Sequence, residues 1–112
     1  MNYRIIVFPK FAKELKRLSK KYRSIKQDYA KLLNELYANP TLGVDLGGGV
    51  RKIRMAIGSK NRGKSHGARV ITFTYQLDEE NGVINLLYIY DKSERESLTA
   101  AEIDELLNEI GW

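Results

Sequence analysis

Val83-Ile84-Asn85-Leu86-Leu87-Tyr88-Ile89-Tyr90 is apolar at nearly every position, with Asn85 its one strongly polar residue. A strand with one wet face alternates apolar and polar residues, whereas a strand covered on both faces does not. The stretch therefore reads as the central strand of a sheet with structure packed on either side. Just upstream, Asp78-Glu79-Glu80-Asn81-Gly82 is an acidic hairpin turn in which Asn-Gly is the turn signal. Before it, Arg69 to Tyr75 is a strand rich in β-branched and aromatic residues. Val50 to Ile57 alternates, with Arg51, Ile53, Met55 and Ile57 on one face and Lys52, Arg54 and Ala56 on the other. Gly58 to Gly67 is a glycine- and lysine-rich loop between these two strands, and the three strands form a meander.

Outward from the meander the pattern turns helical. Tyr3 to Phe8 is a short β-rich strand. Pro9 suits the first turn of a helix, and Phe11, Leu15, Leu18 and Tyr22 recur at helical spacing with Lys and Arg opposite. After a break near Tyr22-Arg23, Ser24 and Gln27 have the spacing of a capping box. Ile25, Tyr29, Leu32, Leu33 and Leu36 then form a second stripe, which Asn39-Pro40 ends. The two helices are expected as an antiparallel hairpin lying on the sheet. Thr41 to Gly49 reads as a loop, freed by Gly47-Gly48-Gly49. Near the C-terminus, Thr99 and Glu102 form a capping box, and Leu98 and Ile103 have the spacing of a hydrophobic staple. Ile103, Leu106, Leu107 and Ile110 make an apolar face, and Gly111 stops the helix. The predicted fold is α+β: two N-terminal helices and a C-terminal helix packed on an antiparallel-rich four-stranded sheet, in one domain over residues 1–112.

The chain has no cysteine, which removes disulfides and thiolate metal sites and fits a reducing compartment. The apolar run Ile5-Ile6-Val7-Phe8 is too short for the core of a signal peptide or for a membrane span, so a cytoplasmic protein with no membrane partner is expected. The formal net charge is +5, and its distribution says more than its sum. Residues 1–77 carry seventeen Lys/Arg and four Asp/Glu, while residues 78–112 carry two Lys/Arg and ten Asp/Glu. No carboxylate lies between Asp45 and Asp78, a stretch that holds Arg51, Lys52, Arg54, Lys60, Arg62, Lys64 and Arg69. A cationic segment free of acids suits a polyanion such as RNA or DNA, because a merely solvated surface mixes both signs. The Lys-rich helix at 10–23 reads instead as an ordinary solvated face.

Gly58-Ser59-Lys60-Asn61-Arg62-Gly63-Lys64-Ser65 matches the P-loop pattern letter for letter. A P-loop works because a helix starts at its Lys-Ser end and aims amides at phosphate. Here β-rich sequence follows, so the nucleotide reading is rejected, and the loop is expected to grip a polynucleotide flexibly. His66, the single histidine, reads first as a solvated loop residue and is kept as an RNA contact. No cluster of His, Cys, Asp and Glu has metal-ligand spacing, so neither metal nor other cofactor is expected.

The strand cations carry more information. Lys52 and Arg54 project the same way, Arg69 opens the next strand, and Tyr90 and Lys92 close the central one. The expected site is a cluster of Lys52, Arg54, Arg69, Tyr90 and Lys92 from three adjacent strands, flanked by Lys60, Arg62, Lys64 and His66 on the loop.

The order of elements resembles the RelE/ParE toxin superfamily. So does the run Gly49-Val50-Arg51-Lys52-Ile53-Arg54, then Gly67-Ala68-Arg69-Val70-Ile71, then Leu87-Tyr88-Ile89-Tyr90-Asp91-Lys92-Ser93-Glu94. The closest likeness is to the HigB-type branch. This resemblance implies the toxin of a type II toxin-antitoxin system: a metal-independent endoribonuclease that cuts messenger RNA in the ribosomal decoding site. A neighbouring antitoxin, usually a helix-turn-helix protein, would restrain it. It implies catalytic roles for Arg54, Arg69, Tyr90 and Lys92. Lys52, Lys60, Arg62, Lys64 and His66 would bind RNA. Ser93 stands where RelE has an arginine and Thr99 where it has a tyrosine, leaving Tyr90, Lys92 or His66 as the general base. Two alternatives remain: a ParE-like inhibitor of DNA gyrase, and a non-catalytic RNA- or ribosome-binding module.

Overall fold

The last strand of the meander, β5 (Asn81–Asp91), has hydrogen-bonded neighbours on both sides. In the computed structural model, which describes residues 1–111, β1 (Asn2–Val7) pairs with it in parallel. On its other side β4 (Ala68–Gln76) runs antiparallel, followed by β3 (Val50–Met55) and, at the edge, β2 (Val44–Gly47). Helices α1 (Pro9–Lys21) and α2 (Ile25–Ala38) cover one face, and α3 (Ala100–Glu109) packs on the other. Phe11, Leu18, Ile25, Leu32 and Leu36 meet Ile53, Met55, Val70, Ile84, Leu86 and Ile89 beneath α1 and α2. Val50, Ile71, Phe73, Leu87, Tyr90 and Leu106 form the layer beneath α3. Double-sided burial thus explains why β5 is apolar throughout, and Asn85 is accommodated because its amide donates to the Phe73 carbonyl at 2.8 Å.

The α+β class and the three helices agree with the sequence, but the sheet has five strands in mixed arrangement where four were expected. The extra strand, β2, lies in the segment expected to be a loop. All four of its residues are exposed, so no burial pattern marks it. The glycines that suggested mobility instead build a turn. Gly47 pairs with Val50, and Gly48 and Gly49 between them have φ of +61° and +90°. Two positive φ values in succession make a tight hairpin whose twist suits the flanking strands.

Two other local signals act differently from expectation. Asn81-Gly82 is not the β4–β5 turn but the first pair of β5. The turn is closed by the Asp78 carboxylate, which accepts from the backbone N–H groups of Glu80 and Asn81, each at 2.8 Å. Gly82 is instead needed because the Tyr3 ring lies against it where a Cβ would sit. Ser24 does not cap α2, since its hydroxyl donates to Asp28 at 2.7 Å and accepts from Ser59 N–H at 2.8 Å. The Thr99–Glu102 capping box on α3 forms as read.

One irregularity escaped the sequence. Ile71 pairs with Tyr88 but Thr72 pairs with Leu86, so Leu87 is an extra residue in β5. This bulge lets Leu87 and Tyr88 both face α3. It also sets the register beyond it, in which Tyr90 lies opposite Arg69.

The β2–β3 turn yields a comparison. A Cβ at Gly48 meets open space, whereas one at Gly49 presses on the Thr74 carbonyl at 2.7 Å. Gly48→Ala is expected to cost about 1 kcal/mol and Gly49→Ala about 2–4 kcal/mol, measured by urea unfolding. Equal costs would contradict this turn geometry.

Candidate nucleic-acid interface

Strand register brings the site together. Arg54 pairs with Arg69, and Arg69 pairs with Tyr90, so three adjacent strands place these side chains in one rank on the α3 side. Lys52 lies two residues back along β3 on the same face, opposite Ile71. The rank grades inward: Arg54 is exposed, Arg69 is 4% exposed and Tyr90 is 2% exposed. Two arginines side by side repel, and an anion seated on them relieves that repulsion.

Arg69 is held firmly. Its guanidinium donates to the Lys64 carbonyl at 2.9 Å, to Ala68 at 3.1 Å and to Ser65 at 3.5 Å. Burial, and then the nearby Arg54 charge, lower its proton affinity from the ordinary arginine value. The Tyr90 hydroxyl is buried and makes no hydrogen bond of good geometry, with the Ser97 side chain in loose approach. Burial pushes its pKa above the usual tyrosine range, against the pull of the Arg69 and Arg95 charges. A phenol of that kind is a hydrogen-bond donor at neutral pH and a poor base.

Lys92 does not join the rank. Its backbone N–H donates to the Gly67 carbonyl at 3.1 Å. Its side chain lines a depression of about 580 Å³ together with Tyr22, Lys60, Arg62, Ser65, His66, Ser93 and Glu96. The five-residue cluster expected from the sequence is therefore divided: Lys52, Arg54, Arg69 and Tyr90 on the sheet, Lys92 with Arg62 and His66 at its end.

Lys60 is a correction as well. Read as a phosphate-gripping cation, it is a largely buried one tied up by internal partners, its side chain 14% exposed. Its ammonium donates to Asp91 Oδ1 at 2.7 Å and to the His66 carbonyl at 2.9 Å, and it sits 5.1 Å from the centre of the Tyr22 ring. Arg62, Lys64 and His66 are exposed, with Lys64 Nζ 3.8 Å from a Glu35 carboxylate oxygen. The P-loop resemblance fails structurally. Gly58–Lys60 and Lys64–His66 are single 3₁₀ turns, and β4 follows where an α-helix would be needed.

Asp91 is the residue beside the candidate site whose role the sequence concealed. It is wholly buried and accepts from Tyr22, Lys60 and Ser93. Burial alone would raise its pKa, but the hydrogen bonds from Lys60, Tyr22 and Ser93 outweigh it and hold the carboxyl well below the usual range. Ser93 and Thr99 are both engaged: Ser93 binds Asp91 and Thr99 caps α3. Arg95 was also missed, and it pairs with Glu102 at 2.8 Å.

The acid-rich C-terminal third neutralises helix α1 rather than the rank. Glu109 meets Lys10 at 2.6 Å, and Glu94 meets Arg17 at 2.6 Å and Lys21 at 3.0 Å. Among the described residues, no ion pair joins Lys52, Arg54, Arg62 or Arg69 to a carboxylate. Among the same residues no group of three His, Cys, Asp or Glu side chains is placed to hold a metal, and no helix is long and apolar enough to cross a membrane. Compared with the sequence profiles of known protein families, the chain matches none.

The Glu94 pairing sets a pH dependence. The Arg17 hydrogen bond holds Glu94 at about 2 against an ordinary 4.5, with burial opposing and Lys21 assisting. A depressed carboxylate stabilises the fold above its unfolded pKa and loses that contribution as pH falls through the folded one. Stability is therefore expected to decline from about pH 4.5 towards pH 2. Glu94→Gln should lower stability at pH 7 and make the acid decline shallower in circular-dichroism titrations, whereas an unchanged slope would remove this pair from the account.

Proposed function

We propose that the chain is an RNA-cleaving toxin of the RelE/ParE kind. It would act on messenger RNA at the ribosome in the cytoplasm, with an antitoxin as its partner. The observation that carries the reading is the Arg54–Arg69–Tyr90 rank, left without carboxylate partners although ten Asp/Glu lie in residues 78–112. The sequence resemblance supplies the reaction class, and no metal enters the reading.

RNA carries its own nucleophile, the 2′-hydroxyl beside the scissile phosphate. Attack on phosphorus forms a 2′,3′-cyclic phosphate and expels the 5′-oxygen of the next nucleotide, which takes up a proton. Arg54 and Arg69 donate to the non-bridging oxygens, where charge grows in the transition state. Tyr90, raised in pKa, serves as a donor beside them and not as the base. The proton acceptor then comes from the depression, where Lys92 and His66 are the candidates. Arg62 and Lys64 hold flanking phosphates.

One observation favours a second reading, a non-catalytic RNA-binding module. The Arg69 guanidinium is already engaged by loop carbonyls, and the phenol in the rank is tuned away from proton removal.

Expressing the chain with and without its genomic neighbour, and mapping 5′ ends of cellular transcripts, separates these readings. Cuts within translated frames are expected, and Arg54→Ala should reduce them about 10²–10³-fold, the usual cost of one transition-state donor. Arg54 is the diagnostic position because it is exposed, whereas Arg69→Ala also releases the loop. RNA binding with no cuts would establish the binding module, and arrest with DNA damage and intact messengers would point to gyrase.

A further inference from the structure

The Lys60–Asp91 pair, its carboxylate buried and its ammonium partly so, reaches the cation rank from behind. Asp91 pairs with Ala68 on the sheet, on the side of α1, and its carboxylate gathers four donors from three segments. These are the Tyr22 hydroxyl beyond α1, the Lys60 ammonium at 2.7 Å, and the Ser93 hydroxyl and N–H at 2.8 and 2.9 Å. Lys60 passes the connection on, since the same ammonium donates to the His66 carbonyl at 2.9 Å. His66 ends the 3₁₀ turn Lys64–His66. From the opposite face, Arg69 donates to the carbonyls of Lys64 and Ser65 in that very turn. The turn is therefore gripped from both sides of the sheet, by Lys60 and by Arg69.

Stability alone does not call for this arrangement. Removing two charges from water costs several kcal/mol for each, and apolar residues of similar volume commonly serve a core equally well. A buried pair does fix registry, because its directional bonds admit one geometry. We propose that Asp91 and Lys60 are positioning residues for Arg69. They fix the Lys64–His66 turn, whose carbonyls orient the Arg69 guanidinium towards the anion, and they hold the Arg62 and His66 side of the depression opposite Lys92. This rests on the reading of Arg69 as an RNA contact.

The test uses the full chain carrying Lys60→Met with Asp91→Asn. The double variant leaves no unpaired buried charge. The amide introduced by Asp91→Asn retains an acceptor oxygen for Ser93 and Tyr22, and thermal melting checks that the fold persists. The first readout is the Arg69 Nε–Hε resonance with hydrogen exchange over residues 58–67. The second is cleavage of a ribosome-bound messenger. The expected result is a shifted or broadened Arg69 resonance and faster exchange in the loop, with core amides of β4 and β5 unchanged. The kcat should fall about tenfold to a hundredfold while KM stays within about threefold, since misplacement of a reacting-group contact acts on the chemical step. An unaltered Arg69 resonance overturns the proposal, as does an altered one with undiminished cleavage. If Arg69 shifts and the unsubstituted chain does not cut RNA, the link from Asp91 to Arg69 stands and the nuclease reading falls.

Discussion

The carboxylate of Asp91, buried at the end of the strand that both sheet faces share, is the constraint from which the candidate site is built. Tyr90 and Asp91 are consecutive residues of β5 and so point to opposite faces. One enters the cation rank beside Arg69, and the other anchors Lys60, Tyr22 and Ser93. The Leu87 bulge sets this phase, because it inserts one residue into β5 relative to β4 before the pair is reached. Without that insertion the side chains of residues 90 and 91 would exchange faces, and the phenol and the carboxylate would exchange environments.

Charge segregation completes the arrangement. A chain with nineteen Lys/Arg and fourteen Asp/Glu could pair most of its cations internally. Instead the acidic C-terminal third closes on α1, through Glu94 with Arg17 and Lys21 and through Glu109 with Lys10. These pairs are largely solvent-exposed, and such pairs contribute little stability each. Their larger effect is on the field: they leave positive potential concentrated over Lys52, Arg54 and Arg62, where a polyanion would be drawn.

The sequence revealed the elements whose signals are local and repeated. The double-sided apolar run of β5, the helical stripes of α1 and α2 and the Thr99–Glu102 box are of this kind, and each formed. The rank itself was legible, because period-two alternation places Lys52 and Arg54 on one face and a meander sets Arg69 and Tyr90 beside them. What stayed hidden depends on contacts between distant segments. Lys60 has the same composition signal as Arg62, and only the approach of Asp91, thirty-one positions away, turns it inward as an internal ion-pair partner. The edge strand β2 is exposed on both faces and so leaves no pattern. Gly82 resembles a turn glycine, yet it is required by a Tyr3 ring seventy-nine positions earlier.

The central claim is that the sheet face bearing Lys52, Arg54, Arg69 and Tyr90 is where RNA lies. The most direct measurement is an NMR titration of the chain with a short oligoribonucleotide carrying 2′-O-methyl groups, which binds without being cut. Shift changes concentrated on β3, the start of β4 and the end of β5, and extending into residues 62–66, are the predicted result. Changes confined to the Lys face of α1, or none at millimolar RNA, would contradict it.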